Sequence, residues 1–165
     1  MPATLPPLPR PLLRLVRRSP VAVFVVGGTA AQREQAARRL HQESVVHDGA
    51  FVALDCDRAE ERERLHRALE GWLAGASGGG GADPIADASG GTLFLDGIEG
   101  LPLATQRMVL GLALQRRDRG SYPGRARWAA RLIVGNARDL SGALAEGRFH
   151  VALFDLVDRY RVNLG

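Results

Sequence analysis

Five short apolar runs recur along the chain, separated by longer and more polar segments. The runs occupy residues 21–26, 50–55, 92–96, 129–134 and 160–164. Runs that are apolar at every position are typical of strands buried on both faces of a parallel sheet. The intervening segments carry strong helix formers or apolar residues at helical spacing, chiefly at residues 12–18, 30–41, 57–73, 102–119, 139–146 and 148–157. Strands that alternate with helices predict an α/β protein whose parallel sheet is covered by helices on both faces.

The same pattern predicts the core and the domain limits. We expect the core to contain Val23, Phe24, Phe94, Leu95 and Ile133. Residues 1–11 are rich in proline and are expected to be extended or mobile, so a single domain is predicted over residues 12–165. A mobile loop is predicted at the glycine-rich residues 75–84, and a turn at 120–124.

Two of the apolar runs end in residues that suit a ligand. The first run closes in Gly27-Gly28, and Thr29 can cap the helix that follows, which is the layout in which phosphates meet a helix N-terminus. The run at residues 92–96 ends in Asp96, followed by Gly97. An acid at the carboxyl end of a buried strand holds Mg²⁺ in P-loop NTPases. A buried strand closed by a turn-forming Asp-Gly pair fits equally, and the pattern leaves both interpretations open.

Composition limits the classes of protein and of site. The chain has 165 residues, 45% of them hydrophobic, enough for one globular domain with a real core. No apolar run approaches 18 residues and residues 1–20 lack the core of a signal peptide, so a cytoplasmic protein without membrane association is expected. The single Cys56 excludes an intramolecular disulfide, and the four histidines are scattered without metal-site spacing.

The basic residues are unusual in kind. All 22 are arginine, so a P-loop lysine cannot exist in this chain. The formal net charge is +4, but arginine and glutamate alternate through residues 57–64, as on a solvated helix face. The charge therefore gives little support to a nucleic-acid-binding stripe.

Four motifs together resemble the AAA+ core of sigma-54-dependent transcription activators. They are Phe51-Val52-Ala53-Leu54-Asp55-Cys56; the stretch from Gly90 to Pro102, which contains Gly-Gly-Thr-Leu-Phe-Leu-Asp and Leu-Pro; Arg131-Leu132-Ile133 with Arg138-Asp139-Leu140; and Ala145-Glu146-Gly147-Arg148-Phe149. Their order and spacing agree with the family over residues 12–164. The resemblance implies a three-layer αβα sandwich with a five-stranded parallel sheet, and the family's members are ring-forming ATPases that remodel the sigma-54 RNA polymerase.

The resemblance also assigns candidate nucleotide-binding residues, in a degenerate form. The family's phosphate loop, Gly-Glu-Ser-Gly-Thr-Gly-Lys-Glu, matches residues 27–34, where Arg33 stands for the lysine and Ala30 and Gln32 replace glycines. The candidates are Gly27, Gly28, Thr29, Arg33 and Glu34. No cofactor is expected, and ATP with Mg²⁺ would bind only weakly.

The hydrolytic positions depart further from the family. Asp96 matches the metal-linked acid and is the candidate metal residue, but Gly97 stands where the family has a glutamate that polarises water, and Glu99 should point elsewhere. The sensor-like Asn136 is displaced by one position. The two arginines that family members insert into a neighbour's site correspond to His150 and Leu156. No catalytic residue is assigned.

The parts that contact polymerase and DNA lack counterparts. The family's Gly-Ala-Phe-Thr-Gly-Ala loop corresponds to Gly75-Ala76-Ser77 and a glycine run, and no helical lid or helix-turn-helix is expected after Gly165. The sequence thus predicts a degenerate AAA+ domain that regulates transcription through a protein partner, a related activator or the sigma-54 polymerase. Direct DNA binding and efficient ATP hydrolysis are not expected. Two alternatives stay open: a nucleotide or phosphate sensor without turnover, and a weakly active ATPase that uses Arg33.

Overall fold

The computed structural model describes residues 4–75, 83–117 and 128–165. Its strands are β1 (Val23–Val26), β2 (Phe51–Asp55), β3 (Thr92–Asp96), β4 (Arg131–Asn136) and β5 (Arg161–Asn163). Its helices are α1 (Arg10–Arg18), α2 (Ala30–Gln42), α3 (Ala59–Leu73), α4 (Pro84–Ala88), α5 (Leu103–Arg117), α6 (Ser141–Ala145) and α7 (Val151–Val157), with a 3₁₀ turn at Ile98–Gly100. Most of the loop predicted at residues 75–84, and the turn predicted at 120–124, lie outside these ranges.

The strands form one parallel sheet in the order β2-β3-β4-β1-β5. The register places Val26 opposite Asn136 across β1 and β4, and Asp55 opposite Asp96 across β2 and β3. The predicted five-stranded parallel sheet is therefore confirmed. Because every strand runs the same way, the glycine turn after β1 and the polar ends of β3 and β4 lie along one edge.

Helices cover both faces of the sheet. Val23, Phe94 and Ile133 pack with α1 and α2 on one face, whereas Phe24 and Leu95 pack with α3, α4, α5, α6 and α7 on the other. Each of these five predicted core residues exposes at most 1% of its surface. The three-layer sandwich follows from strands that are apolar on both faces. Within the described ranges, no helix is long and apolar enough to cross a membrane.

The proline-rich segment is more ordered than predicted. Helix α1 begins at Arg10 and not at residue 12, because Pro11 lies in its first turn, where the missing N–H has no intrahelical partner to lose. Leu8 is buried with Leu12 and Val16 against the sheet. The boundary predicted after residue 11 thus falls inside a helix.

Two polar side chains anchor the helices α4 and α1. Helix α4 was not predicted; Asp83 caps it by accepting from the N–H groups of Ile85 and Ala86. Arg131, at the start of β4, is fully buried, and its Nη2 donates to the carbonyls of Val16 and Ser19 at the end of α1, at 3.2 and 2.6 Å. The C-terminal end of α1 is thereby attached to the sheet.

Removal of the Phe94 ring should measure how central β3 is. Phe94→Ala is expected to lower the free energy of unfolding by about 3 to 5 kcal/mol, the usual cost of deleting a buried aromatic ring. Urea unfolding followed by circular dichroism would measure it. Val151→Ala is the matched control, since Val151 is 62% exposed and should cost under about 0.5 kcal/mol. A cost below about 1 kcal/mol for Phe94→Ala would contradict a central β3.

Stability should fall on mild acidification because of His41. Burial lowers the pKa of His41 from its ordinary value of 6.5, with smaller contributions in the same direction from Arg131, His47 and Arg38 and an opposing bond to the Gly49 backbone. Its Nδ1 lies 2.8 Å from Thr92 Oγ1. Below pH 6.5 the unfolded chain takes up this proton before the folded chain does, so the free energy of unfolding decreases as pH drops toward the folded-state pKa.

The pH effect is assigned to His41 by comparing variants. Urea unfolding at pH 7.5, 6.5 and 5.5 should give a smaller pH dependence for His41→Gln than for the wild type. His47→Gln, at an exposed position, should keep most of the wild-type dependence, because burial is the larger cause of the lowered His41 pKa. Equal slopes in the wild type and His41→Gln would contradict the assignment.

Candidate nucleotide-binding edge

Two glycines turn the chain from β1 into α2. Gly27 and Gly28 have φ angles of +90° and +64°. A Cβ at Gly27 would lie 2.8 Å from the carbonyl oxygen of Gly165, and one at Gly28 would lie 2.8 Å from Gln32 Oε1. Both positions therefore require glycine for conformation and for space.

The first turn of α2 satisfies its own backbone. Thr29 Oγ1 accepts from the N–H of Gln32 at 3.1 Å, and Gln32 Oε1 accepts from the N–H of Thr29 at 2.9 Å, which is a capping box. Gln32 stands where the family has a glycine. Two N–H groups that a phosphate-binding loop would direct at its ligand are instead bonded to side chains.

Arg33 extends from α2 into the centre of the edge. Its Nε donates to Asp96 Oδ1 at 2.7 Å and its Nη2 to Asp96 Oδ2 at 3.2 Å, a bidentate pair whose side chains are 6% and 9% exposed. Its Nη1 donates to the carbonyls of Gly27 and Gly28 at 3.2 and 2.9 Å. We call these four contacts the Arg33 clasp. They join the glycine turn, α2 and β3.

The clasp depends on the shape of arginine. A guanidinium is a planar fork that can donate to both oxygens of one carboxylate and still reach two carbonyls, whereas lysine offers a single ammonium group. Removing either member of the pair would lower the free energy of unfolding considerably, because the remaining charge would stay buried without a counter-ion. Arg33 thus occupies the space between the turn and Asp96 with its charge already neutralised.

The residues around Asp96 leave no room for side chains at two neighbouring positions. Gly97 has φ +67°, and a Cβ there would lie 2.7 Å from Asp57 Oδ2. A Cβ at Gly135 would lie 2.4 Å from Asp96 Oδ1. Burial, together with the charges of Asp55 and Asp96, raises the pKa of the Asp57 carboxyl. A glutamate at position 97, where the family has one, would be strained by the positive φ and would have to displace the Asp57 carboxylate.

Asn136 is engaged in a second set of internal contacts. Its Nδ2 donates to Glu99 Oε2 at 3.0 Å and to the carbonyl of Arg138 at 2.8 Å, and its Oδ1 accepts from the N–H of Glu99 at 3.3 Å. Arg148 Nη1 lies 3.0 Å and Arg138 Nη2 3.4 Å from Glu99 Oε1. The bond from Asn136, with those from the arginines, lowers the pKa of Glu99. Glu99 is held by Asn136, Arg138 and Arg148, and sequence reasoning missed its partnership with Arg148.

Other predicted positions lie at the margins of this edge. Glu34 pairs with Arg38 at 3.6 Å on the exposed side of α2. It also lines a cavity of ≈ 270 Å³ that includes Asp55, Glu61 and Asp96. His150 caps α7, its Nδ1 accepting from the N–H of Ala152 at 3.2 Å. The clasp thus brings together Gly27, Gly28, Arg33 and Asp96, and the carbonyl of Asn136 joins them by accepting from the N–H of Gly27 at 3.0 Å.

The fold agrees with comparison to known proteins. The model of the sigma-54 interaction domain family matches residues 10–163. The chain belongs to that family. The C4-dicarboxylate transport regulator DctD of Pseudomonas aeruginosa is 36% identical over 146 residues, which are 86% of this chain and 30% of DctD. GlrR of Escherichia coli K12 is 32% identical over 155 residues, which are 92% of this chain and 34% of GlrR.

Solved structures of the family have the same fold. NtrX from Brucella abortus, in complex with ATP, superposes with a TM-score of 0.71 at 26% identity, over 94% of this chain and 35% of NtrX. The P-loop NTPase domain of an Escherichia coli sigma-54 activator gives 0.66 at 22% identity, over 94% of this chain and 90% of that domain. This chain spans only about a quarter to a third of the length of the curated regulators it matches.

A double-mutant cycle would measure the Arg33–Asp96 contact. Arg33→Met and Asp96→Leu are each expected to lower the free energy of unfolding by about 3 to 5 kcal/mol, because each strands one buried charge. The double variant should cost well under the sum, since no charge is then left unpaired. Urea unfolding measures all four states. Arg33→Lys, which keeps the charge but loses the fork, should be intermediate; additive single costs would show that the pair is not coupled.

Proposed function

We propose that the chain is a degenerate sigma-54-activator-like AAA+ domain that acts in transcription regulation by binding a protein partner, without efficient ATP hydrolysis. The observation that carries this proposal is the Arg33 clasp. Arg33 and Asp96 match the family's phosphate-binding lysine and its metal-linked acid, and here they are bonded to each other. The two charges that a metal-nucleotide complex would need are neutralised within the domain.

The residues of the edge do not fit MgATP, although the related NtrX was solved with ATP. A triphosphate would have to displace Arg33 from two carbonyls and a carboxylate, and the N–H groups of Thr29 and Gln32 are held by the capping box. The adjoining cavity is lined by further acidic residues, Glu34, Asp55 and Glu61, which repel phosphate oxygens. Within the described ranges, no group of three or more potential ligands could hold a metal ion.

Hydrolysis lacks its chemical groups as well. A positioned base typically contributes about 10²–10⁴ to the rate, and the position that would supply it is Gly97, whose side-chain space Asp57 occupies. An arginine supplied to a neighbour's site contributes about 10³–10⁵, and the matching positions are His150 and Leu156. These losses support a binding role over a catalytic one.

The proposed partner is a related AAA+ activator or the sigma-54 polymerase. Large apolar side chains are exposed on one side of the sandwich, at Leu103 and Leu114 of α5, at Val151 of α7 and at Tyr160. Exposed apolar groups of this size suit contact with another protein. The same helices α5 and α7 pack on each other, so a partner would meet one rigid surface.

MgATP should neither bind tightly nor turn over. We expect a dissociation constant of 1 mM or weaker by calorimetric titration, so that 1 mM MgATP raises the free energy of unfolding by at most about 0.4 kcal/mol. Hydrolysis should stay below about 0.01 per second. Gly97→Glu should not rescue it, because the backbone there has positive φ and Asp57 blocks the side chain.

Two results would contradict this prediction. Turnover above about 0.01 per second that Asp96→Ala abolishes would establish a weak ATPase. A micromolar dissociation constant that Arg33→Ala removes would establish the nucleotide sensor. Phe94→Ala serves as the control for simple loss of stability, since Phe94 lies in the core.

The partner is tested with purified components. The AAA+ domain of a related sigma-54 activator, or the sigma-54 polymerase, should co-elute with this chain on size exclusion, and the activator's ATPase rate should change at least twofold. The double variant Leu114→Ser with Val151→Ser should weaken co-elution if the exposed apolar side chains form the contact. The exposed pair Arg64→Gln with Arg67→Gln on α3 is the control. If this chain associates with neither the activator domain nor the polymerase, the proposal is contradicted.

A further inference from the structure

Helix α1 carries a row of arginines on its exposed side. The row consists of Arg10, Arg14, Arg17 and Arg18, all of them exposed. At 100° per residue these positions fall within about 100° of one another around the helix axis. The opposite side, with Leu12 and Val16, is buried against the sheet. We call the four residues the arginine stripe.

The stripe accounts for the net charge of the protein. Four of the 22 basic residues belong to the stripe, and the other 18 are equal in number to the 18 acidic residues. The formal net charge of +4 therefore equals the charge of the stripe. Helix α1 contains no acidic residue. Among the described residues, the carboxylate paired with the stripe is Glu43, 2.6 Å from Arg17, and Arg10, Arg14 and Arg18 form no ion pair.

The surrounding structure holds the stripe in place and adds to its potential. Arg131 Nη2 donates to the carbonyls of Val16 and Ser19, and the N–H of Val45 donates to the carbonyl of Val16 at 3.1 Å. These donors cover the negative end of the α1 dipole, which would otherwise offset the nearby positive charge. Arg39 of α2 lies close enough to act on Glu43 electrostatically. Because the backbone of α1 is already fixed, binding a partner does not require the entropy loss of ordering this helix.

We propose that the arginine stripe binds the phosphate backbone of double-stranded DNA without sequence preference. Nine helical residues span about 13 Å, and phosphates follow each strand at about 3.4 Å along the duplex axis, so about four phosphates lie within reach of four guanidinium groups. Guanidinium forks match phosphate oxygens bidentately. The expectation of no direct DNA binding concerned base recognition by a helix-turn-helix, which contact with the phosphate backbone does not require.

Two other partner classes fit the stripe less well. An anionic membrane surface is normally bound by a helix that inserts its apolar side, and the apolar side of α1 is already buried in the core. An acidic protein surface would normally find aromatic anchors beside the charges, and α1 contains none. The phosphate backbone requires only the charges that are present.

Fluorescence anisotropy with two unrelated 20-base-pair duplexes tests the proposal. Four phosphate contacts predict a slope of about −3.6 for log affinity against log salt, so affinity should fall on the order of 100-fold between 50 and 200 mM NaCl. The two duplexes should bind within threefold of each other. A tenfold difference between them would overturn sequence-independent binding.

Matched variants assign the effect to α1. The triple variant R10Q/R14Q/R18Q should reduce the slope to about −1, since one contact remains. E43Q removes the opposing carboxylate and should tighten binding at least twofold. The control R58Q/R64Q/R67Q removes the same charge from exposed positions in α3 and directly before it, and should keep the wild-type slope. Melting temperatures confirm that each variant folds.

Three outcomes would overturn the proposal. They are an unchanged slope in R10Q/R14Q/R18Q, an equal loss in the α3 control, and binding to polyglutamate or to phosphatidylglycerol vesicles without binding to DNA. None of them depends on ATP or on the protein partner, so this inference and the proposed function can fail separately.

Discussion

The sheet edge of this protein is built around a buried guanidinium group. A buried cation is stable only when it is paired with an opposite charge and hydrogen-bonded. Arg33 donates to both oxygens of Asp96 and to the carbonyls of two successive glycines. Four donors and one carboxylate thereby fix the position of α2 relative to β1 and β3. The same contacts occupy the space at the strand ends.

A second set of polar side chains at the sheet edge is also hydrogen-bonded within the chain. Glu99 and Asn136 exchange two hydrogen bonds, and Arg148 completes the set. Each polar group that the family directs toward a nucleotide, whether cation, metal-linked acid or sensor amide, meets another group of the same chain. The fold of a sigma-54 interaction domain is therefore kept while the polar groups of its edge are satisfied internally, which supports the proposed binding role.

Arginine side chains are neutralised at the sheet edge, whereas those on α1 are exposed to solvent. Arg33 and Arg131 are buried and donate hydrogen bonds to other parts of the chain, whereas the arginine stripe faces solvent opposite a single carboxylate. Burial makes the first two arginines structural, because stranding either would cost several kcal/mol. Exposure leaves the stripe available, since surface ion pairs contribute little and are readily exchanged for phosphate contacts. The same residue type thus serves two purposes according to where the fold places it.

The sequence by itself determined most of the sheet and its core, because buried strands leave apolar runs; β1 to β4 and the burial of Phe94 could be predicted from them, whereas β5 carries Arg161 and Asn163 beside Val162. It also excluded a P-loop lysine. Tertiary structure alone decided where Arg33 points: its partner lies 63 residues away and is brought close only by the parallel strand order. Pro11 inside α1 and the short helix α4 were missed for a related reason, since side-chain caps and packing stabilise them and apolar periodicity does not reveal either.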